Sequence, residues 1–203
     1  ARRFAERRLE LLDRIGDPDH AADVYWSAIP GYLGQGLFDD ARRLAELHDE
    51  VTNRLSPHHE LHGVAFLLEV EELVANWQRI LELTPRAERA VEASTPCIHR
   101  PRSLAVCALA AACVGDGAEA RRLEQAAASL GAEEYGRVVD TRIRLALVRG
   151  DRVTVEQLLA EAEAPQKTLI RSTKLAPVAL KGISEPLTVY RVDASNEAGR
   201  GAS

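Results

Sequence analysis

From Ser103 to Leu130 the chain reads SLAVCALAAACVGDGAEARRLEQAAASL, an apolar run of small residues followed by an amphipathic one. Val106 to Ala112 is apolar without interruption. Beyond it Ala120, Leu123, Ala127 and Leu130 recur at helical spacing, with Glu119, Arg121, Arg122 and Glu124 between them. This spacing predicts two helices joined by a tight turn. Gly115 is expected to end the first in a left-handed conformation, and Asp116 to cap the second. Small side chains let neighbours approach closely, but one hairpin cannot cover such a helix on both sides. Further hairpins must stack against it.

The same arrangement recurs along the chain. Five residues after Gly36, Ala75, Gly115 and Gly150 stand Ala41, Ile80, Ala120 and Val155. Three residues further on stand Leu44, Leu83, Leu123 and Leu158. The anchors are 39, 40 and 35 residues apart, a period that points to stacked helical hairpins. The four leucines are expected to be buried at like positions.

Punctuation supports this register. Asp17-Pro18-Asp19 and Ser56-Pro57 each place a cap before a proline at the first helical position. Pro85 cannot donate to the carbonyl of Leu81, so a kink or a fresh helix capped by Thr84 is expected there. Thr95–Arg102, with two prolines, reads as a connecting loop, and Gly131 as the end of a helix. At the amino terminus Phe4, Leu9, Leu12 and Ile15 are spaced as one apolar helical face. The chain contains no Met, and this helix is read as continuing from a longer polypeptide.

These features resemble tetratricopeptide-like repeats over about residues 20–163, through the small-residue turn with Leu eight positions after it. The family's Trp…Leu-Gly…Tyr pattern is not reproduced. His58–Ala65 and the block Thr95-Pro96-Cys97…Arg102-Ser103-Leu104 are similar to helical regions of large bacterial regulators that carry a class III nucleotide cyclase and an ATPase domain. After Ala164 the pattern changes to β-type alternation. Lys174–Val192 predicts a β-hairpin, with Val178 and Leu180 on one arm and Leu187, Val189, Tyr190 and Val192 on the other. Leu180-Lys181-Gly182, Glu185-Pro186 and Val189-Tyr190-Arg191-Val192 resemble the last two strands of a class III adenylate/guanylate cyclase domain. Thr168–Arg171 resembles the short helix before them. In that family the catalytic domain usually precedes such helices, and here the order is reversed. The expected organisation is therefore an all-α, tetratricopeptide-like solenoid over 1–163, a cyclase-like β-hairpin appendage over 164–193, and a disordered tail over 194–203.

Composition narrows the function. Hydrophobic residues make up 46% of the chain and aromatics only 4%, so the core is built from Leu, Ala and Val in good helix formers. A net charge of −5 and no dominant basic stripe argue against nucleic-acid binding. No apolar run reaches the roughly 18–20 residues of a membrane span. Cyclase chemistry needs two metal-binding carboxylates, and no counterpart precedes the C-terminal motif. Lys181 is read as a surface lysine. No phosphate-binding glycine loop or nucleophile elbow is present.

His58, His59 and His62 form the one conspicuous cluster. His58 and His62, four apart, share a helical face, a spacing that can hold zinc. HHELHG is not HExxH, however, and no Cys or Asp stands close in sequence to complete a site. The histidines are therefore read as helix-start and packing residues, with no metal or cofactor expected. Cys97, Cys107 and Cys113 are expected to be buried reduced thiols of a cytoplasmic protein. Tyr25, Trp26, Tyr32 and Trp77 are expected to fill gaps between Ala-rich helices, and Arg42-Arg43 and Arg121-Arg122 to lie on solvated faces. The expected function is a non-enzymatic scaffold for protein or intramolecular contacts in bacterial signalling. A regulatory piece of a class III cyclase and a small-molecule sensor are the alternatives.

Overall fold

A computed structural model describes residues 2–131, 136–166, 171–174 and 190–193. The chain divides into two units, Ala1–Asp151 and Arg152–Ser203. The helices of the first are α1 (Arg2–Leu9), α2 (Pro18–Leu33), α3 (Phe38–Thr52), α4 (Pro57–Leu73), α5 (Trp77–Ala93), α6 (His99–Cys113), α7 (Gly117–Ser129) and α8 (Gly136–Val148). The second unit carries α9 (Arg152–Gln166) and two short strands, β1 (Arg171–Lys174) and β2 (Tyr190–Asp193). Among the described residues no strand precedes Arg171, and the fold is a repeat-like succession of helices.

The turns follow from the anchors. Gly36, Gly115 and Gly150 have φ of 72°, 88° and 70°, and Ala75, in the equivalent place, has φ of 55°. Only glycine enters this region without a steric cost, so Ala75 marks a turn that the fold imposes on its side chain. Leu44, Leu83, Leu123 and Leu158 are all buried, as are Ala41, Ile80 and Ala120, while Val155 is half-buried. Asp17, Ser56 and Asp116 each accept a backbone amide hydrogen bond at a helix start. Gly131 closes α7 with φ of 77°.

Consecutive helices from α1 to α7 pack pairwise. In addition α4 packs on α6, and α6 on α8. α3, α5 and α7 are amphipathic outer helices. By contrast α4 is buried from Gly63 to Glu72 without a break, and α6 from Ser103 to Ala111. A helix covered all round must satisfy every polar group it carries. The buried stretch of α4 carries three glutamates, Glu69, Glu71 and Glu72, at 8%, 3% and 4% exposure. Each meets an arginine from a different helix: Arg102 of α6 at 2.8 Å, Arg42 of α3 at 2.6 Å and Arg144 of α8 at 2.7 Å. Burial raises the pKa of Glu72, while Arg144, Arg102 and a hydrogen bond from Thr141 pull it back. On the α3 side, a Cβ at Gly63 would stand 2.5 Å from Thr52 Oγ1 and would collide with Asp49. Asp49 is itself held by two 2.6 Å bonds from Arg86 of α5.

Several local expectations are corrected. The amino-terminal helix ends at Leu9 and a 3₁₀ turn follows over Leu12–Arg14. Phe4 is 69% exposed, and Ala5 is the residue that enters the core. α5 runs continuously through Pro85, with Thr84 Oγ1 donating to Ile80 O at 3.0 Å. The loop before α6 is only Ser94–Ile98, so His99–Arg102 is helical. Pro101 is tolerated because first-turn amides have no intrahelical acceptor. Arg42 is not on a solvated face, since it reaches the buried Glu71. Cys107 is buried and its thiol pushed up to about 12 by burial, whereas Cys97 and Cys113 are half-buried.

In the second unit β1 and β2 pair antiparallel, Arg171 opposite Asp193 and Lys174 opposite Tyr190. Tyr190–Asp193 is a strand, but the expected hairpin with the Val178–Leu180 arm is not what it forms here: its partner is Arg171–Lys174. Arg171 begins this strand instead of ending a helix. The expected arm around Val178–Leu180, Lys181 and the tail 194–203 lie outside the described residues.

The left-handed turns give opposite signs for two substitutions. Ala75→Gly should raise stability by about 1 kcal/mol, and Gly115→Ala should lower it by about the same amount or more. Urea unfolding midpoints of the two variants check this, and a stabilised Gly115→Ala would break the equivalence of the turns.

Candidate functional site

The first turns of α4 bring three histidines to the surface of the first unit, and the fold gathers two more around them. The Ser56 hydroxyl, which caps α4, lies 2.7 Å from His59 Nδ1, and Asp19 Oδ1 of α2 lies 2.9 Å from His59 Nε2. With both ring nitrogens engaged, His59 fastens the start of α2 to the start of α4. The His58 and His62 rings meet one turn apart, tilted by 53° with centroids at 4.5 Å. His99, at the start of α6, meets His62 in the same tilted way at 4.5 Å and packs 5.8 Å from Phe66. His48 of α3 meets Phe66 edge-on at 5.2 Å.

A cleft of about 210 Å³ opens over this wall, lined by Asp19, Asp23, Trp26, His48, His58 and His62 among others. Trp26 is 48% exposed, so it borders the cleft instead of filling an interhelical gap. Tyr25, Tyr32 and Trp77 do pack against the core.

Burial dominates the electrostatics of the wall. His48 falls to a pKa of about 4, chiefly because burial penalises its charged form, with His62 and His59 adding repulsion and Asp49 opposing it. His62 also falls to about 4, through burial and then through His58 and His59. His48 Nδ1 is buried and has no hydrogen-bond partner among the described residues.

The sequence leaves His58 and His62 without a third ligand nearby. The fold supplies one from the loop between α5 and α6. One donor atom each of His58, His62 and Cys97 lie within 4.8 Å of one another, and all three residues are half-buried. Thr95 Oγ1 of the same loop lies 3.1 Å from His58 Nδ1. The pairing of residue 58 with residue 97 across a whole helix carries no local sequence signal. Only the interleaving of TPCIH with an HHxxH helix start hints at it.

No family model, no curated protein and no solved structure matches this chain. Among the described residues no helix is long and apolar enough to cross a membrane.

The folded protein keeps His48 neutral down to pH of about 4, whereas the unfolded chain protonates it at about 6.5. Between those values the unfolded state binds more protons, so stability falls as pH drops from 6.5 to 4. His48 alone accounts for roughly 3 kcal/mol across that window. His48→Gln should flatten the pH dependence of the unfolding midpoint by about one proton, measured in chelator-treated buffer. An unchanged slope would contradict the assignment.

Proposed function

We infer that the chain is a non-catalytic helical-repeat scaffold of the tetratricopeptide-like kind. In this reading it holds protein contacts, between molecules or within a longer polypeptide, in a bacterial signalling protein. The reading is supported by the equivalent left-handed turns and by the succession in which α4 touches α6 and α6 touches α8. Repeat architectures of this kind leave one edge of each hairpin free to vary.

The observation that carries it is a recurrence of exposed apolar side chains at the rim positions where inner hairpin helices end. Leu73 at the end of α4, Val114 just after α6, and Leu147 with Val148 at the end of α8 are 48%, 50%, 60% and 49% exposed. Exposed large apolar side chains thus recur at or just after the ends of α4, α6 and α8, and in this reading they are where a partner is held.

The non-catalytic part rests on the acids. Among the described residues Glu69, Glu71 and Glu72 are the most buried carboxylates, and each is paired with an arginine. They are therefore not available to hold catalytic metal ions. The cyclase likeness stands on the residue pattern between Leu180 and Val192 alone.

Site-specific photocrosslinking tests the contact surface. A photoreactive residue is placed singly at Leu73, Val114, Arg54 or Arg89 in the full-length protein in its native cell. Discrete adducts, or links to other parts of the same polypeptide, are expected at Leu73 and Val114 and not at the exposed outer positions Arg54 and Arg89. Equal yields at all four, or none at the rim, would contradict the reading.

A further inference from the structure

The wall of histidines contains a set of donors that packing and capping do not explain. His59 is consumed by Ser56 and Asp19, and His48 and His99 pack on Phe66. His58, His62 and Cys97 remain, from a helix face and a loop separated by a whole outer helix, with their donor atoms drawn within 4.8 Å. We propose that His58, His62 and Cys97 are three protein ligands of a zinc-class transition-metal site, with a fourth position facing the cleft under Trp26.

The donor set fits the ion. Two imidazoles and a thiolate are the nitrogen and sulfur ligands that Zn²⁺ takes at about 2.0–2.3 Å. A tetrahedral site with those bonds separates its ligand atoms by about 3.4–3.6 Å. The present spacing therefore needs a closure on the order of 1 Å, which side-chain torsions supply. The i, i+4 pair on α4 is preorganised because both rings share one face and the Ser56 cap fixes the helix start.

Cys97 is equally well held. Its carbonyl accepts Arg100 N at 3.2 Å, and the Arg100 guanidinium reaches back to Val91 O at 3.0 Å. These bonds pin the loop to the end of α5. Thr95, two residues earlier, takes the outer-shell role by holding the His58 ring against the same loop. Three protein ligands and one open position is the pattern of a site that accepts water or an incoming group. Asp19, Asp23 and Trp26 line the cleft over that position.

Titration of the metal-free protein with Co²⁺ and Zn²⁺ chloride tests the site. One equivalent of Co²⁺ should produce a thiolate-to-metal charge-transfer band and strong visible bands of a tetrahedral centre, both displaced by one equivalent of Zn²⁺. Cys97→Ser should abolish the charge-transfer band. His62→Ala and Cys97→Ser should each weaken Zn²⁺ binding on the order of 100-fold or more, and Thr95→Val about tenfold. Cys113→Ser, which alters the other half-buried thiol, should change nothing. Circular dichroism checks each variant for folding, and His58→Ala in the first turn of α4 carries the same expectation if His62→Ala unfolds. The proposal is overturned if Co²⁺ gives no thiolate band, or if Cys97→Ser binds Zn²⁺ as tightly as the unaltered protein.

Discussion

Three carboxylates buried side by side on α4 are the constraint on which the first unit depends. Taking Glu69, Glu71 and Glu72 out of water costs several kcal/mol per ion, and the fold tolerates it only by supplying an arginine to each. Those arginines come from α6, α3 and α8, so the pairing decides which faces of three helices must meet α4. Apolar packing alone would not select among sliding arrangements of Ala-rich and Leu-rich surfaces. An ion pair with a fixed partner does, and its main contribution here is register. Glu71 extends the effect to the turn, since Asn76 donates both its backbone N–H and its side-chain amide to it. The strained Ala75 is thereby held in place by the residues on either side of the turn.

Much of this architecture was legible in the sequence because it is written locally. Caps at Asp17, Ser56 and Asp116, left-handed turn positions, and a leucine eight residues later all act within a few residues of themselves. The buried glutamates were not legible. Leu68-Glu69-Val70-Glu71-Glu72-Leu73 mixes acids with apolar residues, and nothing local says that the acids are covered. Arg42, paired in sequence with Arg43, likewise looked solvated until its partner on another helix was in view. The histidine wall failed for the same reason. His58 and His62 announced a shared face, but Cys97 joins them only through the stacking of α4 against the α5–α6 loop.

α4 therefore has two halves with different tasks. Its carboxyl-terminal half locks three neighbours in place, and its amino-terminal half presents the imidazoles that meet the Cys97 loop. The two are coupled through rigid helix: α6, aligned by Arg102, also begins at His99 and carries the loop that ends in Cys97 and Ile98. A register error between α4 and α6 would separate His62 from Cys97 as surely as it would separate Glu69 from Arg102.

A double-mutant cycle on Glu69 and Arg102, the most deeply buried of the three pairs, tests this account most directly. Unfolding free energies are measured for Glu69→Met, Arg102→Met and the double variant. The account predicts that each single change costs about 3–5 kcal/mol, because it strands a buried charge, and that the double variant recovers most of that loss. Additive losses, or single variants within about 0.5 kcal/mol of the parent, would show that α4 and α6 are aligned by packing alone.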